Sequence, residues 1–200
     1  MPEDTLRKLL LAIAHTVSEH ASELTALDQA IGDGDHGLNM KRGFDRLAAG
    51  ADTIAAQPLP GALSEIGKTL VLTVGGASGP LYGTFFMALG DGLPTRPDKT
   101  AVAIAFDKAT AAVARRGKSV PGQKTLLDVL VPLGDELRND APDLLGRIRR
   151  RAQSAADATV PMRAQRGRAS FLGERSVGHM DPGARSCALI ATAVCDFLGD

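Results

Sequence analysis

Apolar residues recur at three-to-four spacing along most of this chain, and no stretch alternates as a half-buried strand would. Leu6, Leu9, Leu10, Ile13 and Val17 mark a first helix from Thr5 to about Ser22, capped near Asp4 or Thr5. Leu38 to Ala56 repeats the period with Met40, Phe44, Leu47 and Ile54, and Pro58 and Pro60 break it. A third helix spans Gly61 to about Thr73. A fourth, very apolar one opens after Val74-Gly75-Gly76-Ala77-Ser78-Gly79-Pro80 and runs to Leu89. Asp98 or Thr100 starts a long Ala-rich helix to Arg116. After the break from Gly117 to Gly122, a sixth helix reaches Asn139, a seventh runs from Pro142 to about Ala158, and an eighth covers Gly183 to Leu198. The expected class is all-α, an eight-helix antiparallel bundle with short links.

One connection is long. Thr159 to Pro182 has little periodicity and is dense in Gly, Arg and Ser, yet it carries Met162, Phe171 and Leu172. A structureless loop of that length inside a compact domain is usually functional. With apolar residues that a solvated linker would not need, it reads as an ordered lid.

Composition narrows the picture. At 200 residues the chain is expected to form a single domain, residues 1–200, with a sizeable core. With one Tyr, six Phe and no Trp, that core must be built from Ala, Leu, Val and Ile. A formal net charge of zero argues against broad electrostatic binding to nucleic acid or an anionic membrane. The Arg147 to Arg151 cluster reads as a solvated helix face. No signal peptide and no membrane-spanning run are evident, so the expected location is cytoplasmic. Cys187 and Cys195 sit on one late apolar helix, where buried free thiols are expected rather than a bridge.

The candidate chemistry centres on Leu27 to Arg42, LDQAIGDGDHGLNMKR. Asp28, Asp33 and Asp35 fall within eight positions, with Gly32, Gly34 and Gly37 keeping the backbone tight. Three clustered carboxylates repel one another, and a bound hard cation is the simplest way to hold them together. Mg²⁺ binds in this manner, through a few carboxylates plus substrate phosphates. Gly32 to Gly37 also fits G-x-G-x-x-G, but the preceding stretch is helical in pattern where a dinucleotide fingerprint needs a strand. An EF-hand loop from Asp33 fails, because Gly37 takes the fifth position and Phe44 the twelfth. An Asx-rich turn joining two helices is the plain structural alternative.

A second Gly-rich stretch, Gly75 to Pro80, lies just before a helix. Its exposed N–H groups and the helix N-terminus make an anion site, with Ser78 as cap or phosphate donor; close helix packing at small residues is the alternative. Walker A is absent: five residues separate Gly61 from Gly67-Lys68-Thr69, where a P-loop has four. His36 is expected to contact a nucleotide or orient the metal loop, and His179 to shape the lid. Arg168 and Arg175 are candidate phosphate forks or, equally, lid salt bridges.

Together these motifs resemble the nucleotide-binding L subunit of dihydroxyacetone kinase, the DhaL family. The matching pieces are Leu24 to Phe44, Val74 to Phe86, Arg116 to Asp128 and Met162 to Ala184, in order across nearly the whole chain. The resemblance implies an eight-helix antiparallel barrel with ADP or ATP and two Mg²⁺ ions at one end. It implies Mg²⁺ ligation by Asp28, Asp33 and Asp35. It implies nucleotide contacts from His36, Gly37, Leu38, Asn39, Ala77, Ser78, Gly117, Leu126 and Arg168, with Asp181, Pro182 and Gly183 closing over the nucleotide. Gln123 stands where many relatives have Asp, and Leu126 where many have Met, both at the nucleotide's edge.

What the resemblance implies for activity is half a kinase. A K subunit would hold dihydroxyacetone on a histidine, and a phosphohistidine M subunit would recharge bound ADP. No catalytic nucleophile or base is expected in this chain. Alternatives are a two-subunit kinase that exchanges ADP for ATP, a kinase for another ketose such as erythrulose, and a nucleotide-dependent binding module for a transcription regulator. The chain ends at Asp200 without an attached K domain, which favours the multi-subunit version.

Overall fold

In α1 (Glu3–Glu19), Leu6, Leu9, Leu10, Ile13 and Val17 form one buried stripe, as their spacing requires. The same rule builds the rest of this computed structural model, which describes residues 1–199; Asp200 lies outside them. Ten α-helices and one 3₁₀ segment occur among the described residues, and no strand. They are α1, α2 (Ala21–Ile31), α3 (His36–Ala49), α4 (Ala51–Ala55), α5 (Leu59–Thr73) and α6 (Ser78–Gly92). Then come α7 (Lys99–Gly117), α8 (Leu127–Arg138), α9 (Leu144–Asp157), the 3₁₀ segment (Arg168–Ser176) and α10 (Pro182–Gly199).

Eight helices were expected from periodicity; α4 is the end of the expected second helix set off by a kink at Gly50, whereas α2, behind a kink at His20, lies almost wholly beyond Ser22, where the first helix was expected to end. At His20 the backbone turns with φ −95° and ψ 8°, while the ring Nδ1 lies 2.8 Å from the Thr16 carbonyl oxygen. Gly50 makes a similar turn between α3 and α4. A kink that keeps the same face buried leaves the hydrophobic period intact, so periodicity does not register it. The expected caps also shift. α1 starts behind Pro2 without a side-chain cap. Asp98 does cap α7, accepting from Ala101 N at 2.7 Å, and Asp143 rather than Pro142 begins α9.

The long helices pack in a closed order: α1 on α3, α3 on α5, α5 on α6, and so on through α7, α8, α9 and α10, which returns to α1. Their inner faces share one core running from Leu6 to Cys195. α5 and α6 approach closely at Gly67 and Gly83, where a Cβ on either would lie 2.7 Å from the other's carbonyl oxygen. That contact fixes the α5–α6 turn, Val74 to Ala77, at one end of the ring.

The Arg cluster of α9 serves the fold. Arg147 pairs with Glu136 at 2.9 Å and donates to the Asn139, Ala141 and Pro142 carbonyls, closing the α8–α9 turn. Arg149 pairs with Asp196 and Arg150 with Asp143. Cys187 and Cys195 are free and buried, and burial pushes their thiols up to about 12 and about 11. Among the described residues no helix is long and apolar enough to cross a membrane.

Candidate functional site

The acidic loop is wired by its own first carboxylate. Asp28, in the last turn of α2, is buried, and its Oδ2 accepts from Asp35 N at 2.9 Å and His36 N at 3.1 Å. A carboxylate there satisfies otherwise orphaned N–H groups and complements the positive end of α3. Gly37 lies against the Ala21 carbonyl and Thr25 of α2, leaving no room for a Cβ. The loop between the helices is thereby held short, and Asp28, Asp33 and Asp35 each offer a carboxylate oxygen within 4.8 Å of the others. Asp33 and Asp35 are exposed. Three hard, anionic oxygen donors that converge in this way suit Mg²⁺.

His36 connects three elements. Its Nδ1 lies 3.1 Å from Ser78 Oγ at the start of α6, and its Nε2 3.0 Å from Ser186 Oγ on α10. Ser186 donates to the Gly183 carbonyl at 3.1 Å and also meets Tyr82 OH at 2.7 Å. With the Ser186 proton on Gly183, Ser186 accepts from His36 Nε2–H, and His36 Nδ1 accepts from the Ser78 hydroxyl. Burial lowers the imidazole pKa, and Asp28 and Asp35 oppose it. Tyr82 and Ser186 carry this network unannounced by any sequence motif.

Facing the acidic loop, Gly75 and Gly76 turn the chain into α6, Gly76 with φ 64° and open space on its Cβ side. Between turn, acidic loop and lid lies a cavity of about 160 Å³. A second cavity of about 490 Å³ adjoins it, walled by Pro80, Leu81, Gly117, Lys124 and Leu126. Ala77, Ser78, Arg166, Gly167 and Asp181 border both.

The segment from Thr159 to Pro182, read as a lid, packs against the helices. It folds around the 3₁₀ segment, which kinks at Gly173, and Ala164, Ala169 and Leu172 pack on Ile31 of α2. Gln123 ties it to the α7–α8 loop: its Oε1 accepts from Arg166 Nε at 3.1 Å, and its carbonyl from Gln165 N at 3.2 Å. Lys124 Nζ donates to lid carbonyls at Ser176 and Met162 (2.7 and 3.0 Å). Burial pulls the Lys124 ammonium below its ordinary value, against the pull of Asp181. Asp181 accepts from Ala184 N at 2.7 Å, beginning α10. Burial raises its carboxyl to about 7, with the Ala184 N–H bond opposing.

Placed in this frame, His36, Asn39, Ala77, Ser78, Arg168 and Asp181 line the smaller cavity, together with Pro182 and the three aspartates. Gly117, Leu126 and Gly183 line the larger one. Gly37 packs against α2, and Leu38 is 64% exposed, outside the lining of either cavity. Arg168 points its Nη2 to Asp33 Oδ2 at 3.0 Å, pairing a candidate phosphate fork with a candidate metal ligand. Arg175 and His179 line neither cavity. Nothing in the sequence around Lys124 marks it as a buried residue.

Residues 30–196 match the DAK2 domain. The chain belongs to the DhaL family of DAK2 domains. Its relatives include the ADP-binding subunit DhaL of the PEP-dependent dihydroxyacetone kinase of Escherichia coli K12, 44% identical over 177 residues, 84% of each chain. The corresponding subunit of dihydroxyacetone kinase 1 of Listeria innocua is 40% identical and covers 89% of this chain and 88% of its own. The DAK2 domain also superposes on the dihydroxyacetone kinase of C. freundii in complex with AMP-PNP and Mg²⁺. There the TM-score is 0.78 at 26% identity, covering 96% of this chain and 33% of that one.

Proposed function

We propose that this chain is the nucleotide-carrying subunit of a cytoplasmic, phosphoenolpyruvate-dependent dihydroxyacetone kinase. The observation that carries the reading is one shared cavity. Asp28, Asp33 and Asp35 open onto it from one side and the Gly75–Ser78 turn from the other. The chain acts as one domain, an antiparallel barrel of eight long helices with the nucleotide at one end. The smaller cavity takes the phosphates and two Mg²⁺ ions, and the larger, more apolar one takes the nucleoside between Leu81, Gly117 and Leu126.

Mg²⁺ bound there supplies charge neutralisation for the phosphates and for the transition state. The chain's own residues do the positioning. Asp28 shares its Oδ2 with two backbone N–H groups, and with Asp33 and Asp35 it would hold the cation. His36 orients the Ser78 hydroxyl, and the N–H groups at the start of α6 face the phosphate oxygens. The lid, with Arg166 and Arg168, excludes water. A hydroxyl oxygen of dihydroxyacetone, held by a K subunit, forms the new P–O bond while the bond to the β-phosphate oxygen breaks, the hydroxyl proton passing to a group on the K-subunit side. ADP remains bound, and a phosphohistidine M subunit supplies the next phosphoryl group. No side chain of this chain acts as nucleophile or base.

A second reading, exchange of ADP for free ATP, is favoured by the likeness to the C. freundii kinase solved with AMP-PNP and Mg²⁺. One experiment separates them. The purified protein is desalted in Mg²⁺ buffer and denatured, and the released nucleotide is identified. Near-stoichiometric ADP supports recharging in place. An empty protein that binds and releases ATP readily supports exchange, and one that binds neither nucleotide contradicts both.

A further inference from the structure

One buried charge has no part in the chemistry above. Lys124 is the largest fully buried side chain, 1% exposed. An ammonium removed from water is strongly unfavourable unless its three donors find partners. Here all its partners are backbone carbonyls of the lid: Ser176 at 2.7 Å, Met162 at 3.0 Å and Val160 at 3.4 Å. They come from both ends of one loop. Gly178 N donates to the Val160 carbonyl at 2.9 Å, closing the loop's neck. Within it, Ala164 N donates to Ser176 Oγ at 2.9 Å, and Arg163 pairs with Glu174. The ammonium fills that neck from the side of the α7–α8 loop.

Lys124 is itself held in an unfavourable backbone conformation. Its φ is 62°, in the left-handed region that a non-glycine residue rarely adopts. The loop is pinned by Asp128, whose carboxylate accepts from Gly122 N and from Thr125 N at 2.7 Å. A conformation of this kind persists where the surroundings over-determine it. The same residue lines the larger cavity, and the lid it grips carries Arg166 and Gly167 to the border of both cavities.

We propose that Lys124 is a positioning residue: by clamping the Val160, Met162 and Ser176 carbonyls it sets the lid in place and thereby governs how long the nucleotide stays bound. This rests on the nucleotide reading of the cavities. The lid part can be tested without nucleotide.

The test uses Lys124→Met, which keeps the length of the stem and removes the ammonium, beside Lys124→Arg, which keeps a charged donor. Amide hydrogen exchange on the nucleotide-free proteins should show Ala164 and Gly178 exchanging at least about tenfold faster in Lys124→Met, as loss of hydrogen bonds to a charged group implies. Protection in α5 and α6 should not change. The dissociation rate of a fluorescent ADP analogue in Mg²⁺ should rise at least about tenfold in parallel, and Lys124→Arg should restore part of both. Unchanged lid exchange would overturn the proposal. So would loss of the helical body in Lys124→Met, because the claim confines the effect to the lid. Faster lid exchange with unchanged nucleotide release would overturn the link to retention. A wild type that bound no ADP analogue would overturn the nucleotide reading and leave the exchange result standing.

Discussion

The acidic loop and the lid face each other across one cavity and are held by opposite means. The loop is local: its organising bonds run from Asp28 to backbone groups seven and eight residues away. The lid depends on a residue outside it. Lys124 reaches carbonyls 36 to 52 residues further along the chain, and Gln123 reaches Arg166. Short-range wiring forms as soon as α2 and α3 form and needs little further ordering, whereas long-range closure must be held against chain entropy.

Breaking the loop should have the larger effect. Asp28→Ala removes a candidate metal ligand and the acceptor for Asp35 N and His36 N together. It should abolish Mg²⁺-dependent ADP binding and lower unfolding stability by about 1–2 kcal/mol, as loss of a helix cap does. Urea unfolding and ADP titration on the same sample check both. Normal stability with lost binding would make Asp28 a ligand alone.

The start of α10 offers an intermediate effect. Asp181 has a folded pKa of about 7 against an ordinary 3.8. Folding therefore takes up a proton between those values. The contribution of this group to stability is lost as pH rises from 3.8 to about 7, and it is flat above that. Asp181→Asn cannot ionise, so its stability relative to wild type should rise between about pH 4 and about pH 7 and level off above that in chemical unfolding. A constant difference across that range would contradict the burial argument.

The smallest effect belongs to Arg168. Its side chain is 70% exposed and pairs with Asp33, and exposed pairs contribute about 0–1 kcal/mol. Arg168→Ala should leave the melting temperature unchanged and speed ADP release by about threefold, one charge-assisted contact being lost. Equal release rates would remove Arg168 from the nucleotide's contacts.

What sequence alone showed follows the same division. The eight long helices were legible because each buries a face at helical spacing. The three aspartates were legible because a short loop forces neighbours in sequence to be neighbours in space. The kinks at His20 and Gly50 were not, since the buried face continues through them. Nor were Tyr82 and Ser186, 104 residues apart and joined only when α6 and α10 meet. Lys124 looked like any solvent lysine, because its burial exists only once the lid closes over it.

The central claim is that Asp33 and Asp35 hold the nucleotide through Mg²⁺, and calorimetric titration of ADP into wild type, Asp33→Asn and Asp35→Asn tests it most directly, with and without Mg²⁺. The account predicts Mg²⁺-dependent binding in wild type, weakened at least about 100-fold in either variant, with helical circular dichroism unchanged. ADP binding of equal strength in all three proteins, or indifferent to Mg²⁺, would contradict it.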